Sequence, residues 1–82
     1  MYKATVIIKL KKGLLNPEGR TIKQALNFLG FKEVKEVDSY KMLDLIIDLD
    51  DEEEVKKRVD EMCKKLLANP VIHNYNIKIE KL

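Results

Sequence analysis

The sequence predicts an α+β fold in the order β-α-β-β-α-β, an antiparallel sheet with two helices on one face. Three observations lead there. Apolar residues alternate at a spacing of two in residues 2–10, 41–49 and 72–81. Between these stretches lie two segments whose apolar residues recur at helical spacing. The connections are too short to hold a second core, so all 82 residues are read as one domain, 1–82.

In the first strand Tyr2, Ala4, Val6, Ile8 and Leu10 share one face, and Lys3, Thr5 and Lys9 share the other with Ile7. Lys11-Lys12-Gly13 breaks it. Asn16 then offers a helix cap and Pro17 suits a first turn, with Thr21 and Gln24 as a rival capping box. Ile22, Ala25, Leu26 and Leu29 give this helix its apolar stripe, and Gly30 stops it in a left-handed turn. Residues 31–38 carry Val34 and Val37 among alternating charges and are expected to form a short exposed strand. Asp38-Ser39-Tyr40 reads as a hairpin bend. In residues 41–49, Leu43, Leu45, Ile47 and Leu49 face one way and Asp44 and Asp48 the other.

The run Asp50-Asp51-Glu52-Glu53-Glu54 is read as a cap followed by carboxylates at the positive end of a helix dipole, not as a metal cluster. Acid-before-base pairs at i,i+4 follow, from Glu52/Lys56 to Glu61/Lys65. Val55, Val59, Met62, Cys63, Leu66 and Leu67 are the expected buried stripe. Asn69-Pro70 ends the helix, and the last strand turns Tyr75, Ile77 and Ile79 inward. The order fits a ferredoxin-like arrangement. Its uncovered sheet face should present Ile7, Met42 and Ile46, an expected contact with a second copy of the chain.

Composition narrows the function classes. The chain is 45% hydrophobic and 37% charged, which suits a compact, ion-pair-rich protein. One cysteine and one histidine cannot build a disulfide or a Cys/His zinc site. No apolar run approaches a membrane span, and Met1-Tyr2-Lys3-Ala4 does not open a signal peptide, so a cytoplasmic location is expected. A net charge of +2 is too small for a dedicated nucleic-acid binder. The charge is uneven, with nine Lys/Arg against four Asp/Glu in residues 1–41 and seven against ten in 42–82. A dipolar chain of this kind suits association with itself or with another protein.

The residues supply no recognisable catalyst. His73 has no nucleophile at a familiar spacing, Cys63 lies on an apolar stripe where a thiol is inert, and Ser39 has no base nearby in sequence. Lys12-Gly13 lacks the frame of a phosphate loop, and the three glycines are too far apart for a dinucleotide fingerprint. The five aromatics are not placed to stack bases on adjacent central strands, as an RNA-recognition module requires. Arg20 lacks the glycine-rich cradle of an acylphosphatase-type hydrolase. No catalytic, cofactor-binding or metal-binding residue is expected. A dimeric small-molecule-sensing regulatory domain without catalytic activity stays open as an alternative.

Residues 12–19, Lys-Gly-Leu-Leu-Asn-Pro-Glu-Gly, running into Thr21-Ile22 and residues 25–31, resemble the first loop and helix of the PurS family. Residues 62–72, followed by Tyr75, resemble that family's second helix and its exit. PurS is the small subunit of phosphoribosylformylglycinamidine synthase. The resemblance spans essentially the whole chain. It departs at residues 37–41, where the family's hairpin lysine is kept as Lys41 but its arginine and glycine are replaced. The resemblance implies a homodimer with no active site of its own. It also implies assembly with a glutaminase subunit (PurQ) and an ATP- and magnesium-using synthetase subunit (PurL) in the fourth step of purine synthesis. The elements it suggests for partner contact are the loop residues Lys12, Gly13, Asn16, Pro17 and Gly19, the bend residues Tyr40 and Lys41, and the exit residues Asn69, Pro70 and Val71.

Overall fold

A computed structural model describes residues 1–82. Strand β1 (Tyr2–Leu10) is followed by helix α1 (Pro17–Phe28), strand β2 (Lys41–Ile47), helix α2 (Glu52–Met62) and strand β3 (His73–Lys81). The sheet has three antiparallel strands in the order β2-β1-β3. Tyr2 sits opposite Ile47 on one side and Lys81 on the other, and Ile8 sits opposite Lys41 and Tyr75. The α+β class, the antiparallel pairing and the two helices match expectation.

The strand expected over 31–38 does not form. Val34 and Val37 are three residues apart, so they cannot share one face of an alternating strand. Their segment instead runs back along α1. Asn27 donates from Nδ2 to the carbonyls of Phe31 (2.9 Å) and Val34 (3.3 Å), and Asn16 Nδ2 donates to the Ser39 carbonyl at 2.7 Å. Side-chain amides of the helix thus take backbone acceptors that a neighbouring strand would have used. Helix and return segment make one arm.

The ends of α1 follow their sequence signals. Asn16 Oδ1 accepts from Gly19 N–H at 2.9 Å, and Pro17 occupies the first turn. Thr21 bonds back to the Pro17 carbonyl, so it lies inside the helix and does not cap it. Gly30, at φ +105°, lets its own N–H reach the Asn27 carbonyl and that of Phe31 reach the Leu26 carbonyl, which closes the last turn.

The core lies between α2 and the sheet. Tyr2, Ala4, Val6 and Ile8 of β1 meet Val55, Val59, Cys63 and Ala68, and all eight are buried. Asp51 caps α2 through the Glu53 N–H. After Met62 the helix widens into a π-type turn over residues 63–67, ended by the Ala68 N–H on the Cys63 carbonyl at 2.9 Å. That widening corrects the expected stripe. Met62 is partly exposed, Leu67 half-buried and Leu66 82% exposed. Of the acid–base pairs, Asp60–Lys64 closes at 2.9 Å, while Glu53 pairs with Lys56 at 3.9 Å and not with Lys57.

The expected two-helix layer is also only half built. α2 packs on β1 and β3, whereas α1 projects beyond the end of the sheet. The chain measures 51 × 28 × 14 Å with a radius of gyration of 16.4 Å. A compact chain of this length has about 12 Å.

Candidate assembly surfaces

Three loops meet where β1 ends and β2 and β3 begin. The Lys11 N–H donates to the Ile72 carbonyl at 2.8 Å, tying the first loop to the exit from α2. Asn16 ties the same loop to the bend, donating to the Ser39 carbonyl and accepting from Ser39 Oγ at 3.1 Å. Gly13, at φ +89°, turns the loop, with the Leu14 N–H on the Lys11 carbonyl. A cleft of about 530 Å³ lies between loop and bend. Lys9 Nζ stands 4.4 Å from the ring centre of Tyr40 beside it, a cation–π contact that steadies the bend.

This geometry gathers most of the residues named from sequence. Lys12, Gly13, Pro17, Tyr40, Lys41, Asn69, Pro70 and Val71 are exposed at this one end. Asn16 is half-buried and occupied within the chain. Gly19 leaves the set, because it is buried. A Cβ there would stand 1.9 Å from the Val37 carbonyl oxygen, so the position is glycine for the arm's own packing.

The polar groups that might suggest chemistry are committed to structure. A second cavity of about 350 Å³ brings Ser39, His73 and Glu18 together, a juxtaposition that sequence spacing concealed. Yet Ser39 Oγ donates to Asn16, and His73 Nδ1 accepts the Asn69 N–H at 2.9 Å, so the two are not paired with each other. Burial pushes the Cys63 thiol up, helped by the charge of Asp60. Tyr75 donates to Asp60 Oδ1 at 2.6 Å. That bond, then the one from Lys64, holds the Asp60 carboxyl below its usual value, and it raises the Tyr75 hydroxyl to about 12.

Ile7, Met42 and Ile46 lie on the sheet face opposite α2, Ile7 half-buried and the other two exposed. Ile7 is directly opposite Met42. A polar row separates that pair from Ile46, where Thr5 Oγ1 donates to Asp44 Oδ1 at 2.7 Å. Sequence reading missed that apolar side chains elsewhere stay exposed, Ile22 and Leu29 on α1 and Met62 and Leu66 beside a trough that Leu45 also lines. The periodicity of the helices was visible, but periodicity marks an apolar face without saying what covers it.

Fold and surfaces together define a small α+β association subunit, with its loops gathered at one end and apolar side chains left outside. Residues 3–81 match the family model described as PurS, phosphoribosylformylglycinamidine (FGAM) synthase. The chain is 73% identical to the PurS subunit of Methanocaldococcus jannaschii, covering 100% of this chain and 99% of that one. It is 43% identical to the PurS subunit of Methanothermobacter thermautotrophicus, covering 99% and 95%. The crystal structure of the Methanocaldococcus jannaschii protein, described as one of the subunits of formylglycinamide ribonucleotide amidotransferase, superimposes with a TM-score of 0.91 over the same coverage. That of Bacillus subtilis PurS gives 0.89 at 38% identity, covering 99% and 100%. The chain belongs to the PurS family of phosphoribosylformylglycinamidine synthase subunits.

Proposed function

We propose that this chain works as the non-catalytic small subunit of phosphoribosylformylglycinamidine synthase in purine biosynthesis, associating with itself and with the glutaminase and synthetase subunits PurQ and PurL. The match to PurS over residues 3–81 carries this reading. The relatives matched share the PurS description, which leaves the small-molecule-sensing alternative without support. The ligase activity belongs to the complex. ATP and magnesium serve the synthetase subunit, and this chain holds no cofactor of its own. The complex works in the cytoplasm.

The mechanism is one of position. Ammonia released from glutamine stays nucleophilic only while unprotonated, so its transfer between subunits needs a closed, correctly docked path. The loop at Lys12, Gly13, Asn16 and Pro17, the bend at Tyr40 and Lys41, and the exit at Asn69, Pro70 and Val71 are the proposed docking elements. They form one continuous rim because Lys11 bonds to Ile72 and Asn16 to Ser39. Ile7, Met42 and Ile46 are a proposed contact for self-association.

The experiment is reconstitution with purified glutaminase and synthetase subunits, with and without this chain. Glutamine-dependent synthesis should fall when the chain is left out, while ammonia-dependent synthesis by the synthetase persists. Equal glutamine-dependent rates in both mixtures would refute the reading.

A further inference from the structure

The exit from α2 brings Pro70 and Val71 to the rim, and a short chain of hydrogen bonds fixes how it does so. Asn69 is the hub. Its carbonyl accepts the Ile72 N–H at 3.1 Å and the His73 N–H at 2.7 Å, and its Oδ1 accepts the Val71 N–H at 3.0 Å. The Asn69 N–H in turn donates to His73 Nδ1 at 2.9 Å. Pro70 has no N–H to give. Every backbone donor from Asn69 to His73 is thus committed, one of them to a side chain that can take up a proton. The turn so held carries Val71, which is 75% exposed.

We propose that His73 is a positioning residue of the docking rim: its neutral ring holds the exit turn in shape, and protonation releases it, so that docking through Pro70 and Val71 weakens as the medium turns acidic. The inference rests on the docking role proposed above for Asn69, Pro70 and Val71.

The geometry fixes the tautomer. A ring nitrogen that accepts a hydrogen bond carries no proton, so the neutral imidazole keeps its proton on Nε2. Imidazole gains a second proton in the mildly acidic range, and both nitrogens are then donors. The Asn69 N–H loses its acceptor and faces another N–H. Because the remaining bonds of the turn converge on Asn69, they loosen with it. Two ties do not depend on the ring, the Lys11 N–H on the Ile72 carbonyl and the pairing of His73 with Leu10. Release is therefore confined to the exit turn, and β3 stays on the sheet. The titratable groups that share a cavity with His73 are Glu18 of α1, Tyr40 of the bend and Lys41 of β2, while β1 and the turn after α2 add only Ile8, Leu10 and Leu67. None of them bonds to Nδ1, so the Asn69 bond is the one the proton displaces.

The test has two arms. In the full chain, nitrogen NMR should find the His73 ring as the Nε2–H tautomer at neutral pH, and the Asn69 and Val71 amide signals should follow the ring's titration midpoint on acidification. A ring protonated on Nδ1 at neutral pH, or amides that ignore the ring, overturns the proposal. The second arm measures association with the purified glutaminase and synthetase subunits between about pH 7.5 and 5.5, for the parent, His73→Asn and His73→Phe. Asparagine places an oxygen where Nδ1 stood and does not titrate, so the ratio of parental to His73→Asn affinity cancels the titration of partner groups. That ratio should fall roughly fivefold on acidification, the equivalent of one ordinary hydrogen bond. His73→Phe should bind roughly fivefold more weakly than His73→Asn at both limits. A ratio that stays constant, or a phenylalanine variant that binds like the asparagine one, overturns the positioning role. Absence of association for every variant at every pH would count against the proposed function itself, and the NMR arm would then decide the hold of His73 on the turn by itself.

Discussion

The sheet body and the arm are held by different forces. In the body, Val6, Val55, Val59 and Cys63 are wholly buried, and Ala4 beside them lets α2 approach β1 closely. In the arm the only buried residue is Gly19, which has no side chain to contribute. The arm is shaped by polar clips from Asn16 and Asn27 to carbonyls of the return segment. Hydrogen bonds of this kind each contribute only about 1 kcal/mol net, whereas burying a valine contributes about 1.5–3 kcal/mol. The body is therefore held by buried apolar side chains, and the arm is held in shape by polar clips with its apolar face left open.

The largest effect comes from striking the body. Val59→Asp sets an unpaired carboxylate between α2 and β1 at a position with no exposed surface. The penalty of several kcal/mol is comparable to the whole stability of a small domain, about 5–10 kcal/mol. Circular dichroism should show loss of the cooperative thermal transition. A variant that still melts cooperatively near the parental temperature would mean that the body does not depend on this contact.

The next effect is local to the arm. Gly19→Ala places a Cβ against the Val37 carbonyl, which must move away. Alanine favours the helix by up to about 1 kcal/mol, so α1 persists while the return segment detaches. Hydrogen exchange should speed up at residues 31–39 and stay slow in β1. Equal acceleration in both would show that arm and body form one cooperative unit and would dissolve the contrast between them.

What was legible in the sequence is what neighbouring residues decide among themselves. Alternation at a spacing of two placed β1, β2 and β3, and Asn16-Pro17, Gly30 and Asp51 marked the helix ends, because those signals are local. The fate of 31–38 was not local. It depends on Asn27 and Asn16 reaching across the arm to carbonyls up to 23 residues away. Nothing in the residues around Cys63 announced the wider turn that swings Leu66 outward. For the candidate site, the loop, bend and exit were named as separate segments, and their convergence follows from the antiparallel register that brings Leu10, Lys41 and His73 to one end. Both helices were expected on one face of the sheet, because periodicity marks an apolar stripe on α1 without saying what it packs against.

The smallest effect separates the body's one buttressing polar contact from its apolar packing. Tyr75 of β3 donates to Asp60 of α2 at 2.6 Å, clamping the helix to the edge of the sheet. Asp60 is held below its usual 3.8, so the folded state binds that proton less tightly than the unfolded chain does. Its contribution is present above pH 3.8 and is lost as the pH falls through the lowered value. Tyr75 is raised from 10.0 to about 12, so the folded state keeps its proton longer, and that contribution is lost as the pH rises from 10 through 12. The stability difference between the parent and Tyr75→Phe, measured by denaturant titration, should therefore be flat across neutral pH and shrink toward both limits. Because Val6, Val55 and Val59 do not titrate, the phenylalanine variant should retain a cooperative transition throughout. A difference that grew above pH 10 would mean that the folded state releases the Tyr75 proton more readily than the unfolded chain, so that the hydroxyl is not held as a donor to Asp60.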